Sequence, residues 1–125
     1  MKERKKPKLI HVIGTDAAGP ENLPLHLQEL ILEAIGIAAP NRLLKELQRW
    51  LIRKNKRRQL PSLTESNKPD ALIAWIKEQE GIIVVLASGD PLWFGIGRRL
   101  LQDIPFSQLE FHPSPTSLQL AFARI

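Results

Sequence analysis

The sequence predicts an α/β fold, a single mostly parallel five-stranded sheet with helices on both faces. Three observations carry that expectation. Short apolar runs alternate with stretches of helical periodicity along the chain. The run Ile82 to Ala87 (IIVVLA) shows no polar alternation, as suits a strand covered by helices on both sides. Glycine, proline and asparagine punctuate the boundaries, where strands turn into helix starts.

Leu9 to Gly14 (LIHVIG) is the first buried strand, ending in glycine. After the loop TDAAGPEN, Asn22 is placed to cap a helix that starts near Pro24. Leu27, Leu30, Ile31 and Ala34 give that helix one apolar face, and Gly36 is placed to end it. Ile37 to Ala39 is a brief strand. Pro40 and Asn41 begin a helix with the stripe Leu43, Leu44, Leu47, Trp50 and Leu51. Lys54 to Thr64 reads as a polar loop holding a weak strand around Gln59 to Leu63. Asn67 and Pro69 open the next helix, with Leu72, Ile73 and Ile76 inward and Gly81 as its stop. The Ile82 to Ala87 strand follows, then a helix from about Trp93 to Gln102 and the short strand Leu109 to His112. A last helix starts at Thr116, with Leu118 and Phe122 on its apolar face.

Length and composition narrow the function classes. At 125 residues the chain is one domain's worth. It has no cysteine, which excludes disulfides and thiolate chemistry. His11, His26 and His112 are far apart with no ligand spacing, so no metal site is expected. No apolar run approaches the roughly 20 residues that span a bilayer, and the basic N-terminus lacks a signal-peptide core. The expectation is a cytoplasmic protein with no membrane partner. The net charge of +5 is local. Five basic residues lie in a tail over 1–8 and six between Arg49 and Arg58; the remainder carries seven basic against twelve acidic residues. Solvated charge explains both patches, and Trp50 alone does not supply the aromatic interleaving of a nucleic-acid surface.

In a parallel α/β sheet, ligands bind outside the C-terminal strand ends. The loops there are 14–22, 38–41, 61–68, 87–95 and 112–117. The first, Gly14 to Pro20, is glycine-bearing but fits neither the dinucleotide fingerprint nor a Walker A loop, so a plain turn explains it equally well. Ser88-Gly89-Asp90-Pro91 says more. Gly89 permits a tight turn and close approach of a ligand, and Asp90 before Pro91 can cap the following helix. Gly95 and Gly97 cost that helix about 1 kcal/mol each relative to alanine, which favours a functional reason over a simple helix start. Thr116 to Gln119 forms a capping box, and a helix N-terminus there would also accept a carboxylate. Ser117 has neither a nucleophile elbow nor an assignable base.

The stretches VIGTDAAGPENL, VVLASGDPLWFGIGRRLL and HPSPTSLQLAFARI resemble the tetrapyrrole (corrin/porphyrin) methylase family. Within it, LASGDPL-x-x-GIGRRLL and SLQLAFAR are similar to the precorrin-6Y C5,15-methyltransferase (decarboxylating) branch, in its N-terminal methylating region. The resemblance covers residues 9–125 except a basic segment at about 49–58, which looks like an insertion. It implies an S-adenosyl-L-methionine-binding domain. The cofactor contacts it implies are Ser88, Gly89 and Asp90 after the fourth strand and Trp93 through its backbone. They also include Thr116 and Ser117 at the last loop, and Ala17 where many relatives have proline. Asp16 stands where the family usually has glycine, which makes the first loop less able to approach a ligand. Family members continue past the position of Ile125 into a second domain that walls the cofactor cleft, so the resemblance implies an N-terminal domain with that second domain absent.

The leading expectation is thus a methyltransferase domain of cobalamin biosynthesis acting on a polycarboxylated precorrin, incomplete as this chain. No catalytic base is named, because methyl transfer from a sulfonium rests on alignment and exclusion of water. A second reading is a non-catalytic half that associates through its exposed face, as a homo-oligomer or with a chain supplying the C-terminal domain. A third is a basic nucleic-acid-binding module using Arg49 to Arg58, with strongly salt-dependent affinity.

Overall fold

Among the described residues, five parallel strands form the centre, in the spatial order β3 (Ser62–Glu65), β2 (Gly36–Ala39), β4 (Ile82–Ser88), β1 (Leu9–Thr15) and β5 (Leu109–His112). The structure, a computed structural model, describes residues 9–15, 19–54, 60–88 and 95–112. Between the strands run α1 (Leu25–Glu33), α2 (Asn41–Lys54), α3 (Pro69–Glu78) and α4 (Gly95–Asp103). The expected last helix at Thr116 lies outside the described residues.

Strand alternation sorts the core into two layers. On one face Ile13, Ile37, Ala39, Val84 and Leu86 pack with Leu27 and Ile31 of α1 and with Leu43, Leu47, Trp50 and Leu51 of α2. On the other, Ile10, Val12, Ala38, Ile83, Val85 and Leu109 pack with Leu72, Ile73 and Ile76 of α3 and Leu100 of α4. This division follows from connectivity. The chain steps from β1 past β4 to β2 and on to β3, then reverses direction to β4 and past β1 to β5. Right-handed crossovers that change direction must change face. The uninterrupted apolar run of β4 is the sequence trace of that double coverage, and Ile83, Val84, Val85 and Leu86 are fully buried.

Four boundaries differ from the sequence expectation. Asn22 does not cap α1: Gly19–Asn22 is a 3-10 turn, closed by Leu23 N–H donating to the Pro20 carbonyl at 3.1 Å, and Pro24 takes the cap position. Gly36 does not end α1, which stops when Ala34 turns extended. Gly36 opens β2 instead, and its lack of a side chain matters because a Cβ there would lie 2.8 Å from Cη2 of Trp75. Asn67 does not cap α3, whose cap is Lys68 with Pro69 beginning the helix. Its Oδ1 accepts the backbone N–H of Asn41 at 2.8 Å, so it serves the N-terminus of α2 from a neighbouring loop. Gly81 does not stop α3 either. That helix ends at Glu78, and Gly81, at φ 133°, makes the turn into β4. The weak strand expected near Gln59 lies at Ser62–Glu65, and the helix expected from Trp93 is described from Gly95 to Asp103.

Residues 49–54 are the last turns of α2, with Trp50 and Leu51 in the core, while Arg49 and Arg53 lie on the surface near Glu46 and Glu21. Among the described residues no helix is long and apolar enough to cross a membrane.

Candidate functional site

β4 lies between β1 and β2. Both neighbours lead into helices on one face of the sheet, whereas β4 leads into α4 on the other. Chains leaving adjacent strand ends towards opposite faces open a crevice, the usual ligand position in parallel α/β sheets. Register sets how far each strand end reaches. β1 and β4 end abreast, with Thr15 opposite Ser88. The last pairs made by the flanking strands are Ile13 with His112 of β5 and Val85 with Ala38 of β2. The ends of β1 and β4 therefore project beyond their neighbours. Thr15, at this tip, is a buried polar residue, 2% exposed.

Ser88 is the last residue of β4 and so stands at the crevice. Gly89 and Asp90 follow it directly in sequence. Ala17, Gly89, Asp90, Trp93, Thr116 and Ser117 lie outside the described residues.

The same edge carries a basic rim that the sequence reading did not single out. Pro40, Asn41, Arg42, Lys45 and Asn67 line an open cleft of about 720 Å³ at the ends of β2 and β3. The Asn67 carboxamide holds the first turn of α2 there, which fixes Arg42 and Lys45 on one side. A second cleft of about 490 Å³ is lined by Ser66, Asn67, Pro69, Ile96, Arg98, Arg99 and Gln102. Arg99 hydrogen-bonds to Asp103 and to Asp70, which ties α4 to the start of α3 and raises the guanidinium pKa above its usual value. The signal for the first cleft was present in the spacing of Arg42 and Lys45 after Pro40. The cleft itself forms only where the chain after β3 places Asn67 opposite them.

A separate polar cluster lies between β1 and β5. His11 Nδ1 is 3.0 Å from His112 Nε2. Glu110 Oε2 is 3.5 Å from His11 Nδ1, and Glu110 Oε1 is 3.8 Å from His112 Nε2. His11 is 4% exposed. Burial lowers the pKa of both imidazoles, against the opposing pull of Glu110. The histidines expected to be unrelated because they stand far apart in sequence thus meet across two adjacent strands. The available signal was Glu110-x-His112, which places both side chains on one face of a strand.

Comparison with known proteins matches the same span of chain. Residues 9–125 match the sequence profile of the Tetrapyrrole (Corrin/Porphyrin) Methylases. A precorrin-6Y C(5,15)-methyltransferase [decarboxylating] from a Sinorhizobium species is 32% identical over 114 residues, covering 91% of this chain and 26% of that protein. A cobalt-precorrin-7 C(5)-methyltransferase from Salmonella typhimurium is 43% identical over 56 residues, covering 43% of this chain and 27% of the relative. The chain thus matches about a quarter of the length of these curated relatives. In fold it resembles the crystal structure of a cobalamin-biosynthesis precorrin-6Y methylase from Archaeoglobus fulgidus, with a TM-score of 0.60 at 19% identity over 96% of this chain and 60% of that one.

Proposed function

The chain belongs to the tetrapyrrole (corrin/porphyrin) methylases, and we propose that it forms the S-adenosyl-L-methionine-binding domain of a precorrin C-methyltransferase of cobalamin biosynthesis. The observation that carries this reading is the crevice at β4, where Thr15 and Ser88 end abreast between helices on opposite faces. Ser88 leads from it into Gly89 and Asp90, the stretch that resembles the family's cofactor loop. The fit is chemical as well as positional. Projecting strand ends offer backbone donors and acceptors to a small polar ligand, and glycine directly after the strand lets that ligand approach the backbone.

When bound, the cofactor supplies a methyl group on a sulfonium, an electrophile that needs little acid–base assistance. This chain's residues then have positioning work to do. By the family resemblance, Ser88, Gly89 and Asp90 would hold the cofactor where the chain leaves β4, and Trp93 would contact it through its backbone. Ala17, which follows β1 in sequence, and Thr116 and Ser117, which follow β5 in sequence, would complete the set. Holding a methyl carbon in line with a nucleophilic carbon, away from water, supplies the rate enhancement through orientation. No side chain is assigned as a catalytic base.

The basic rim gives the substrate side of this reading its support. A polycarboxylated precorrin would meet Arg42 and Lys45 beside the N-terminus of α2, a setting that favours anionic groups. The remaining wall of the cleft would come from a second domain or a partner chain, as the quarter-length match to the curated relatives suggests.

Isothermal titration with S-adenosylhomocysteine tests the proposal, on this chain and on a form extended by a second domain. The extended form is expected to bind, and Asp90→Ala to weaken that binding at least tenfold, about 1.4 kcal/mol. Absence of binding by the extended form would overturn the assignment.

A further inference from the structure

We propose that His11, Glu110 and His112 form a binding site for a divalent transition-metal ion of the zinc class. The site is independent of the methyl-transfer reading and stands on its own geometry. Parallel pairing sets His11 beside Glu110 and Ile13 beside His112. Because side chains alternate, His11, Glu110 and His112 project from the same face of the sheet. Their donor atoms converge within 4.8 Å of one another.

The spacings suit an ion. Zinc holds nitrogen and carboxylate oxygen ligands at about 2.0–2.2 Å, so ligand atoms around one tetrahedral ion lie roughly 3.3 Å apart. The two nitrogens stand 3.0 Å apart, close to that distance, and Glu110 approaches His11 Nδ1 at 3.5 Å through Oε2 and His112 Nε2 at 3.8 Å through Oε1, so its carboxylate spans the pair with both oxygens. With both imidazoles neutral, a single N–H joins Nδ1 of His11 and Nε2 of His112, the tautomers deciding which ring donates, and the Glu110 carboxylate stands beside that pair. A cation among the three groups satisfies both nitrogens and the oxygen together. Neutral imidazole is the form that binds metal.

Burial grades across the site in a way that leaves an entry path. The side chain of His11 is 5% exposed, that of His112 17% and that of Glu110 54%. The ion would rest on a rigid inner ligand and be reached from the Glu110 side, where a fourth position stays open to water or to an incoming donor. Two imidazoles and a carboxylate suit zinc, and also cobalt(II) or nickel(II), better than magnesium or calcium, which prefer all-oxygen sites.

The test uses the untagged 125-residue chain stripped of metal. Titration with Zn²⁺ is expected to show one equivalent bound, and Co²⁺ to give the intense visible absorption of a four- or five-coordinate ion with nitrogen ligands. His112→Ala and Glu110→Gln are each expected to weaken Zn²⁺ binding about a hundredfold, the upper end of what even outer-shell changes cost. Circular dichroism checks that each variant is folded, and Glu110→Gln, at a half-exposed edge residue, keeps the test decisive if His112→Ala unfolds. Two results would overturn the site. One is a cobalt spectrum indistinguishable from that of the aquo ion. The other is Zn²⁺ affinity unchanged in folded Glu110→Gln.

Discussion

The two faces of the sheet are built from the same strands, yet they differ in chemistry. The face covered by α3 and α4 has an entirely apolar described core, from Ile10 and Val12 to Leu72, Ile76 and Leu100, and its charges stay at the rim, where Arg99 bridges Asp70 and Asp103. The face covered by α1 and α2 has a comparable core around Trp50 and Leu47, but β1 also sends His11 to that side. One strand thus offers Ile10 and Val12 to one layer and His11 and Ile13 to the other. One layer serves mainly as packing; the other combines packing with polar groups available for binding. The extent of helical cover explains how both can exist on one sheet. α1 and α2 pack over β1, β2 and β4, and β5 lies at the sheet edge, where Glu110 reaches solvent.

The largest test of this contrast is to damage the two cores separately. Trp50→Ala removes the largest fully buried side chain of the α1–α2 layer and is expected to cost about 3–5 kcal/mol. Ile76→Ala in the other layer is expected to cost about 2–5 kcal/mol. Urea unfolding of both variants checks this. Similar losses would mean that the layers contribute equally to packing and that their difference lies only in polar chemistry.

A smaller effect probes the link between the layers. Asn67 precedes α3 in one layer but accepts the first N–H of α2 in the other. Asn67→Ala is expected to cost about 1 kcal/mol, the usual loss for a helix N-terminal acceptor. Because Asn67 also lines the basic cleft, the same variant should show whether the order of Arg42 and Lys45 depends on that one hydrogen bond.

The smallest effect concerns acid. Burial lowers the folded-state pKa of His11 and of His112 below the ordinary 6.5, with Glu110 raising both, each histidine's neighbour lowering it further: His112 for His11, and His26 for His112. Just below that value the unfolded chain binds more protons than the folded one, so stability rises with pH there. With a chelator present, stability is expected to be full above about pH 6.5 and to decline as pH falls through the folded pKa values. His112→Gln should flatten that decline in pH-dependent urea unfolding, whereas Ile76→Ala should lower stability without changing the slope.

How much of this was legible beforehand depended on range. The doubly covered strand β4 announced itself because covering both faces removes every polar position, a local property of Ile82 to Ala87. The helical stripes of α2 and α3 were equally plain. Boundaries were less so, since Asn22, Gly36, Asn67 and Gly81 all have residue types that end or begin helices but take other places here. Gly36 yields to the ring of Trp75, 39 positions away in sequence, and Asn67 to the N-terminus of a helix that begins 26 residues earlier. Nothing in a local window distinguishes a cap from an acceptor borrowed by another element.

The sequence by itself determined the α/β class, the described strands and helices with their inward faces, and the place of Ser88 at a C-terminal strand end. Each is a matter of periodicity and of turn chemistry within a few residues. Tertiary structure alone decided the strand order, and with it that β1 lies between β4 and β5. That order brings Thr15 level with Ser88 at the crevice and His11 within reach of His112, 101 residues away. Spacing along the chain could not reveal this, because strand pairing depends on which apolar faces the whole fold can bury together.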